Sequence, residues 1–365
     1  MQNPKVYAVI SSHGFGHAAR TAHMLSILQK QNPQVDLILN TSVPRNFFER
    51  ILREPFEIRN NPLDFGIIQS DGITIDLSST SRRLRELIRN QENIISEEVS
   101  FIRSRKISFI FGDIPFLVPD IAKRSGTPFV LMGNFGWDFI YSYYGGEFSE
   151  FSRWVGDCYS KTDLLLRLPF HEEMSAFPRI HDCNLVGGYP RYSAEYVKEK
   201  LNINGEEGDI LLITFGGMGL NQIPFQILKR FNGADGKKIT FLIYENIPPK
   251  YSDVKNIRSV GGHSFNPVDI MQICSGAITK PGYGMLSEAL RVNCPLYVLD
   301  RKNFRETPIL ISSLKKYFIH SILSEEDFFH SEWNFLDEKM KEPLVPGISF
   351  SDGNEEVVQI ISAFL

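Results

Sequence analysis

The chain passes twice through the same order of elements, and this restricts its fold more than any other feature. A short apolar run at Val6–Ile10 leads into a glycine loop, Ser11-Ser12-His13-Gly14-Phe15-Gly16-His17, and then into a helix-period segment. Much later Ile210–Thr214 leads in the same way into Phe215-Gly216-Gly217-Met218-Gly219. In the first half, strands are expected at Leu37–Asn40, Ile107–Phe111, Phe129–Met132 and Leu164–Leu168. In the second they are expected at Thr240–Tyr244, Ile257–Val260, Ala277–Thr279 and Leu296–Leu299. Helical segments alternate with them, including His17–Gln29, Asn46–Arg53, Arg82–Arg105, Gln222–Phe231 and Thr307–Tyr317. Strands that are apolar throughout and alternate with helices form parallel sheets buried on both faces.

Between the halves lies Asn184–Arg191, where Gly187, Gly188 and Pro190 suit a hinge. The sequence therefore predicts an α/β chain of two Rossmann-like domains facing across a cleft. Residues 1–183 form the first, 184–191 the hinge and 192–351 the second, while 352–365 form a helix that packs back on either domain. A length of 365 residues fits two cores.

Composition removes several function classes. The net charge is −4, which gives no global basic surface for nucleic acid. The densest basic run, Arg82, Arg83, Arg85 and Arg89, is interleaved with Glu86 and Glu92 and reads as a solvated helix face. The four cysteines, Cys158, Cys183, Cys274 and Cys294, lack metal-ligand spacing. No metal site is expected, and a reducing, cytoplasmic setting fits best. No apolar run is long enough to span a bilayer. Peripheral membrane contact through aromatics such as Phe47 and Phe48 stays open.

The stretch Thr279–Leu290, TKPGYGMLSEAL, is built to hold phosphate. A strand runs into Lys280, Pro281, Gly282, Tyr283 and Gly284, and a helix begins near Met285. Glycines let the backbone approach a ligand, and the helix start offers unpaired N–H groups and the positive dipole end. Glu288 is placed to accept hydrogen bonds from ribose hydroxyls, although a carboxylate early in a helix is also favoured by the dipole alone. Gly216 and Gly217 offer a second close approach to phosphate, or simply a tight strand-to-helix turn.

In the first loop, Gly14, Gly16 and Ala19 fit the dinucleotide pattern G-x-G-x-x-A. The second strand, however, places Asp36 at its start and Asn40 at its end, so the acid that holds a nicotinamide ribose is misplaced. His17 has a better use. On the first helical turn it suits proton abstraction from a hydroxyl, with Asp113 at the same sheet edge to orient it. Helix capping by His13 and His17 is the alternative. In Asp300–Pro308, Glu306 and Thr307 are placed to bond sugar hydroxyls, and Arg301, Lys302 and Arg305 to offset diphosphate charge. The same residues also read as a polar helix start with Thr307 as cap. The aromatic segment around Trp137, Asp138 and Tyr141 reads either as an acceptor platform or as core.

These residues carry a resemblance. SSHGFGHAAR and KPGYGMLSEAL resemble glycosyltransferases of the GT-B fold, in particular the peptidoglycan lipid-intermediate N-acetylglucosaminyltransferase group. His13–Arg20, Asn134–Tyr141 (NFGWDFIY), Gly282–Leu290 and Asn303–Leu310 resemble the glycosyltransferase-like half of L-arabinokinases. The resemblance implies an N-terminal acceptor domain and a C-terminal donor domain, with metal-independent, inverting transfer of a sugar from a nucleotide diphosphate, UDP favoured, to a hydroxyl. The nucleotide sugar would be a substrate, and no cofactor is implied. The base falls on His17, helped by Asp113, and phosphate contact on Lys280 and Gly282–Met285. Ribose contact falls on Glu288, sugar contact on Glu306 and Thr307, and the acceptor side on His13, Gly14, Gly16, Asn134, Trp137 and Asp138. Relatives carry a Gln or Asn pair where this chain has Glu306-Thr307. Epimerisation of a nucleotide sugar and non-catalytic binding of one are the rival readings on the same fold.

Overall fold

The computed structural model describes residues 3–70, 74–216, 220, 222–234, 237–347 and 349–365. The first sheet holds β1 (Lys5–Ile10), β2 (Asp36–Asn40), β3 (Phe56–Arg59), β4 (Phe109–Asp113), β5 (Phe129–Gly133), β6 (Leu165–Arg167) and β7 (Ile180–Asp182). Its order is β3-β2-β1-β4-β5-β6-β7, with every neighbouring pair parallel. The second sheet holds β8 (Asp209–Ile213), β9 (Ile239–Ile243), β10 (Ile257–Ser259), β11 (Gly276–Thr279), β12 (Leu296–Leu299) and β13 (His320–Leu323). Its order is β10-β9-β8-β11-β12-β13, again parallel throughout. The α/β class and the pair of Rossmann-like sheets agree with the sequence.

Both sheets reverse direction at one point. The chain builds outward from β1 to β3, then returns to lay β4 beside β1; it does the same with β8 to β10 and then β11. Loops leaving the two central strands diverge, and this opens a crevice at their carboxyl ends. Ile10 pairs with Asp113 at the first such point, and Ile213 with Ile278 at the second. The loop Ser11–His17 and Asp113 meet at the first point, and Gly216 and Thr279–Gly284 at the second, because the topology places their strands side by side.

The chain crosses between the sheets at Asn184–Gly188 and returns near Asp352. The two crossings bond each other: Gly353 N donates to Leu185 O at 3.0 Å, and Asn354 bonds Gly187 through both amide atoms. A Cβ on Gly353 would stand 2.3 Å from Asn184 O, so only glycine lets the crossings approach this closely. The last helix, Gly353–Ser362, lies on the first domain. Asn32 Nδ2 donates to Ser362 Oγ at 3.1 Å, and the rings of Phe109 and Phe364 stack at 4.9 Å.

Several elements differ from the expectation. The strands β3, β7 and β13 sit in the outer parts of the sheets, and their short, partly polar runs gave no apolar signal. The helices expected at Asn46–Arg53 and Gln222–Phe231 contract to Arg45–Phe48 and Phe225–Leu228. The helix expected near Met285 starts at Tyr283.

Candidate active site

The loop after β1 turns through Gly14, whose φ of +67° favours glycine, and a helix then runs over Gly16–Gln31. Phe15 precedes this helix and supplies no side-chain cap. His17, Arg20 and Thr21 share one helix face by their three- and four-residue spacing, and that face meets Asp113 at the end of β4. Asp113 Oδ1 lies 2.9 Å from His17 Nδ1 and accepts from Arg20 Nη2 at 2.6 Å. Its Oδ2 accepts from Arg20 Nε and from Thr21 Oγ1, both at 2.8 Å. The carboxylate is fully buried. Burial works against its charge, but Arg20 and His17 hold it well below the usual carboxylate range. Burial also lowers the His17 imidazole; Asp113 opposes this and Arg20 adds to it. An Nδ1–H donating to Asp113 leaves His17 Nε2 as an open acceptor, which is the arrangement a general base needs.

The second domain faces this with its glycine turn. Gly282 precedes the helix Tyr283–Arg291 and gives no side-chain cap. A Cβ built on Gly282 would meet nothing within 4 Å, and one on Gly284 would meet only Gly16 Cα, at 4.0 Å. The two helix starts therefore approach each other closely at the seam between the domains. Gly216, at φ +79°, is likewise open, whereas Gly217 lies outside the described residues. The charges of Lys280 and Arg301 act on both His13 and Glu306.

Beyond β12, Glu306 reaches the first domain: its Oε1 accepts from Asn134 Nδ2 at 2.7 Å. Asn134 Oδ1 in turn accepts from Arg20 Nη1 at 2.8 Å. An unbroken chain of hydrogen bonds thus runs from Glu306 through Asn134 and Arg20 to Asp113 and His17. Thr307 is buried at the first position of its helix, with Glu306 rather than Thr307 in the cap position. Met285 is half-buried against the core, beside the glycine turn.

Four expectations need correction. Trp137 is not an acceptor platform: it is fully buried, and its indole N–H donates to Asp64 Oδ2 at 3.1 Å. Asp138 is engaged in the first domain's packing, with its carboxylate beside Gly136 and close to Tyr159. The Tyr283 side chain is packed rather than offered to a ligand, since Arg20 lies over its ring at 5.0 Å and its hydroxyl accepts from Val186 N. Arg305 is committed to the first domain through Phe139 O at 2.7 Å, away from any diphosphate. Glu288 lies deeper than a helix-start residue, facing the crossover, and burial raises its carboxyl to about 8.

Sequence reasoning missed Arg20 and Asp64. Arg20 carried a signal, namely its spacing of three from His17. Asp64 carried none. It accepts from Ser12 N at 3.2 Å, and burial lifts it to about 7. Among the described residues, His181, Cys183 and Glu356 come close enough to share a metal, but they lie outside the cleft. Burial pushes the Cys183 thiol up to about 12, and Glu356 is already bonded to His181 and Asn184. A pocket of about 640 Å³ between β6–β7 and the helix Thr307–Tyr317 has neither His17 nor Asp113 in its lining.

No family model matches the chain. L-arabinokinase of Arabidopsis thaliana is 28% identical over 336 residues, covering 89% of this chain. The chain spans 31% of that relative's length. Arabidopsis thaliana UGT89C1 superposes with a TM-score of 0.65 at 13% identity, covering 99% of both chains. The calicheamicin glycosyltransferase CalG4 superposes at 0.61 and 13% identity, covering 100% of this chain and 99% of its own. The chain has the GT-B fold. UGT89C1 is also known in complex with UDP and with quercetin. In GT-B terms, the His17–Asp113 pair belongs to the first domain and the open glycine turn to the second.

Proposed function

We propose that this GT-B protein is a glycosyltransferase that moves a sugar from a UDP-like nucleotide diphosphate to a hydroxyl acceptor. The observation that carries the reading is the approach, at the seam between the domains, of the buried His17–Asp113 pair to the helix start after Gly282, where a Cβ would meet nothing within 4 Å. The UDP bound by a fold neighbour supports the choice of nucleotide.

In this reading the diphosphate rests on the N–H groups after Gly282, and the helix dipole offsets its charge. Glu288 is the ribose contact. With its carboxyl raised to about 8 it is neutral at physiological pH, so it donates as well as accepts, as a diol requires. Glu306 and Thr307 meet the sugar. The acceptor oxygen attacks the anomeric carbon while its proton passes to His17 Nε2. The bond to the diphosphate breaks on the opposite face, so the configuration inverts. Asp113 steadies the imidazolium that results. The backbone N–H groups and the helix dipole offset the leaving diphosphate's charge, and no metal takes part.

Turnover of a nucleotide sugar that stabilises the fold should fall on the order of 10²–10⁴-fold in His17→Ala. The variant should still bind UDP by thermal shift. Turnover like that of the wild type would remove His17 as the base, and no stabilisation by any nucleotide would remove the donor site.

A further inference from the structure

We infer, on the basis of the transferase reading, that the acceptor is a small hydroxylated anion, a polyol bearing phosphate or carboxylate, held by Arg83. A pocket of about 240 Å³ opens at the carboxyl end of the first sheet, lined by residues that include Ser12, His13, Ser42, Phe65, Gln69 and Arg83. It lies beside the base. His13 forms part of its wall, and the rings of His13 and His17 both pack against Trp137, at 5.1 and 6.2 Å.

Size and lining chemistry select the class. Pockets for drug-sized ligands run to roughly 300–1,000 Å³, and this one is smaller. Among the described lining residues there is a cation and no carboxylate. The Arg83 guanidinium lies over the Phe65 ring at 4.8 Å rather than against an acid. A ligand carrying negative charge pairs with Arg83, which an apolar acceptor cannot do. The neighbours of Arg83 are otherwise engaged: Arg82 donates to Ser79 Oγ, and Arg85 pairs with Glu147. Within the basic run that reads in sequence as a solvated face, Arg83 stays exposed and lines the pocket. In the transfer, the acceptor O–H bond breaks with its proton going to His17, a new bond forms to the anomeric carbon, and the nucleoside diphosphate leaves with the bonding pair.

The test uses the full chain and a nucleotide sugar that it hydrolyses. Transfer is measured to glucose 6-phosphate, gluconate, glucose and a simple phenol. At least one of the two anions should exceed glucose about tenfold in kcat/KM, and the better of them identifies the anionic group. Arg83→Ala should remove that preference, and Arg82→Ala should keep it. Equal use of glucose, preference for the phenol, or donor hydrolysis without transfer to either anion overturns the inference while leaving the transferase reading standing. If no nucleotide sugar is bound or hydrolysed, the transferase reading itself fails. Calorimetric titration of the two anions then still decides the pocket, because binding unchanged in Arg83→Ala, or absent in the wild type, overturns it.

Discussion

His17 Nδ1 has two neighbours, Asp113 Oδ1 at 2.9 Å and Arg20 Nη2 at 3.0 Å, and they favour opposite tautomers. The carboxylate draws a proton onto Nδ1 and frees Nε2 as a base. The guanidinium instead offers a proton to an Nδ1 lone pair, which leaves the proton on Nε2. Arg20 also neutralises the charge that would otherwise raise the affinity of the imidazole for protons. Burial and Arg20 together place His17 below its ordinary value of 6.5. The basic form of His17 therefore persists into mildly acidic solution. kcat/KM for transfer should stay level as pH falls through 6.5 and bend only below it, and a limb centred at or above 6.5 would contradict this charge balance. The glycine-flanked histidines were legible in the sequence because their loop chemistry is local. Arg20 was not singled out, because a helix-interior arginine ordinarily points to solvent. Only the placement of β4 beside β1 shows that it meets a buried carboxylate, and Asp64 stays hidden for the same reason.

At the scale of elements, the central strands were legible and the outer ones were not. β1, β4 and β8 are covered on both faces, so their runs are apolar apart from one terminal charged residue each. β7 reads Ile180-His181-Asp182 and is partly exposed, so neither periodicity nor composition marks it. The glycines between elements separate into two kinds that sequence alone cannot tell apart. A Cβ on Gly188 would stand 2.7 Å from His23 Nε2 and 3.0 Å from Glu288 Oε1, so this glycine exists for packing between the crossover and two helices. A Cβ on Gly282 would meet open space, and its φ of −161° is accessible to any residue, so this glycine leaves room for a ligand. Gly188→Ala should cost about 1–3 kcal/mol in denaturant unfolding through overpacking. Gly282→Ala should leave stability within about 0.5 kcal/mol yet weaken nucleotide binding measured by titration. Unchanged nucleotide affinity in Gly282→Ala would detach this turn from the phosphate.

At the scale of the whole molecule, the buried ionisable groups give stability a pH dependence whose sign follows from proton counting. His13, His17 and His23 are all lowered by burial, His23 to about 4. The folded chain therefore binds fewer protons than the unfolded one below 6.5, and stability falls as pH drops through that range. Glu288 and Asp64 act in the opposite sense. Burial raises them to about 8 and about 7, from 4.5 and 3.8. Between their unfolded and folded values the folded chain holds the extra protons, so stability falls as pH rises. Above 6.5 the histidines no longer contribute, and the carboxyls decide the slope. Asp113, held low by Arg20, is ionised in both states there and adds nothing to it. The midpoint of thermal unfolding should therefore decline from pH 6.5 to 8 in the ligand-free protein. Glu288→Gln keeps the neutral shape of the group and removes its proton, so its decline should be visibly shallower, and at pH 8 it should unfold at a higher temperature than the wild type. UDP should act through the same group: if a neutral Glu288 meets the ribose diol, saturating nucleotide should lift the wild-type midpoint more at pH 6.5 than at pH 9. Parallel melting curves for wild type and Glu288→Gln across that range would mean that Glu288 is ionised in the fold and that its neighbours supply a charge partner.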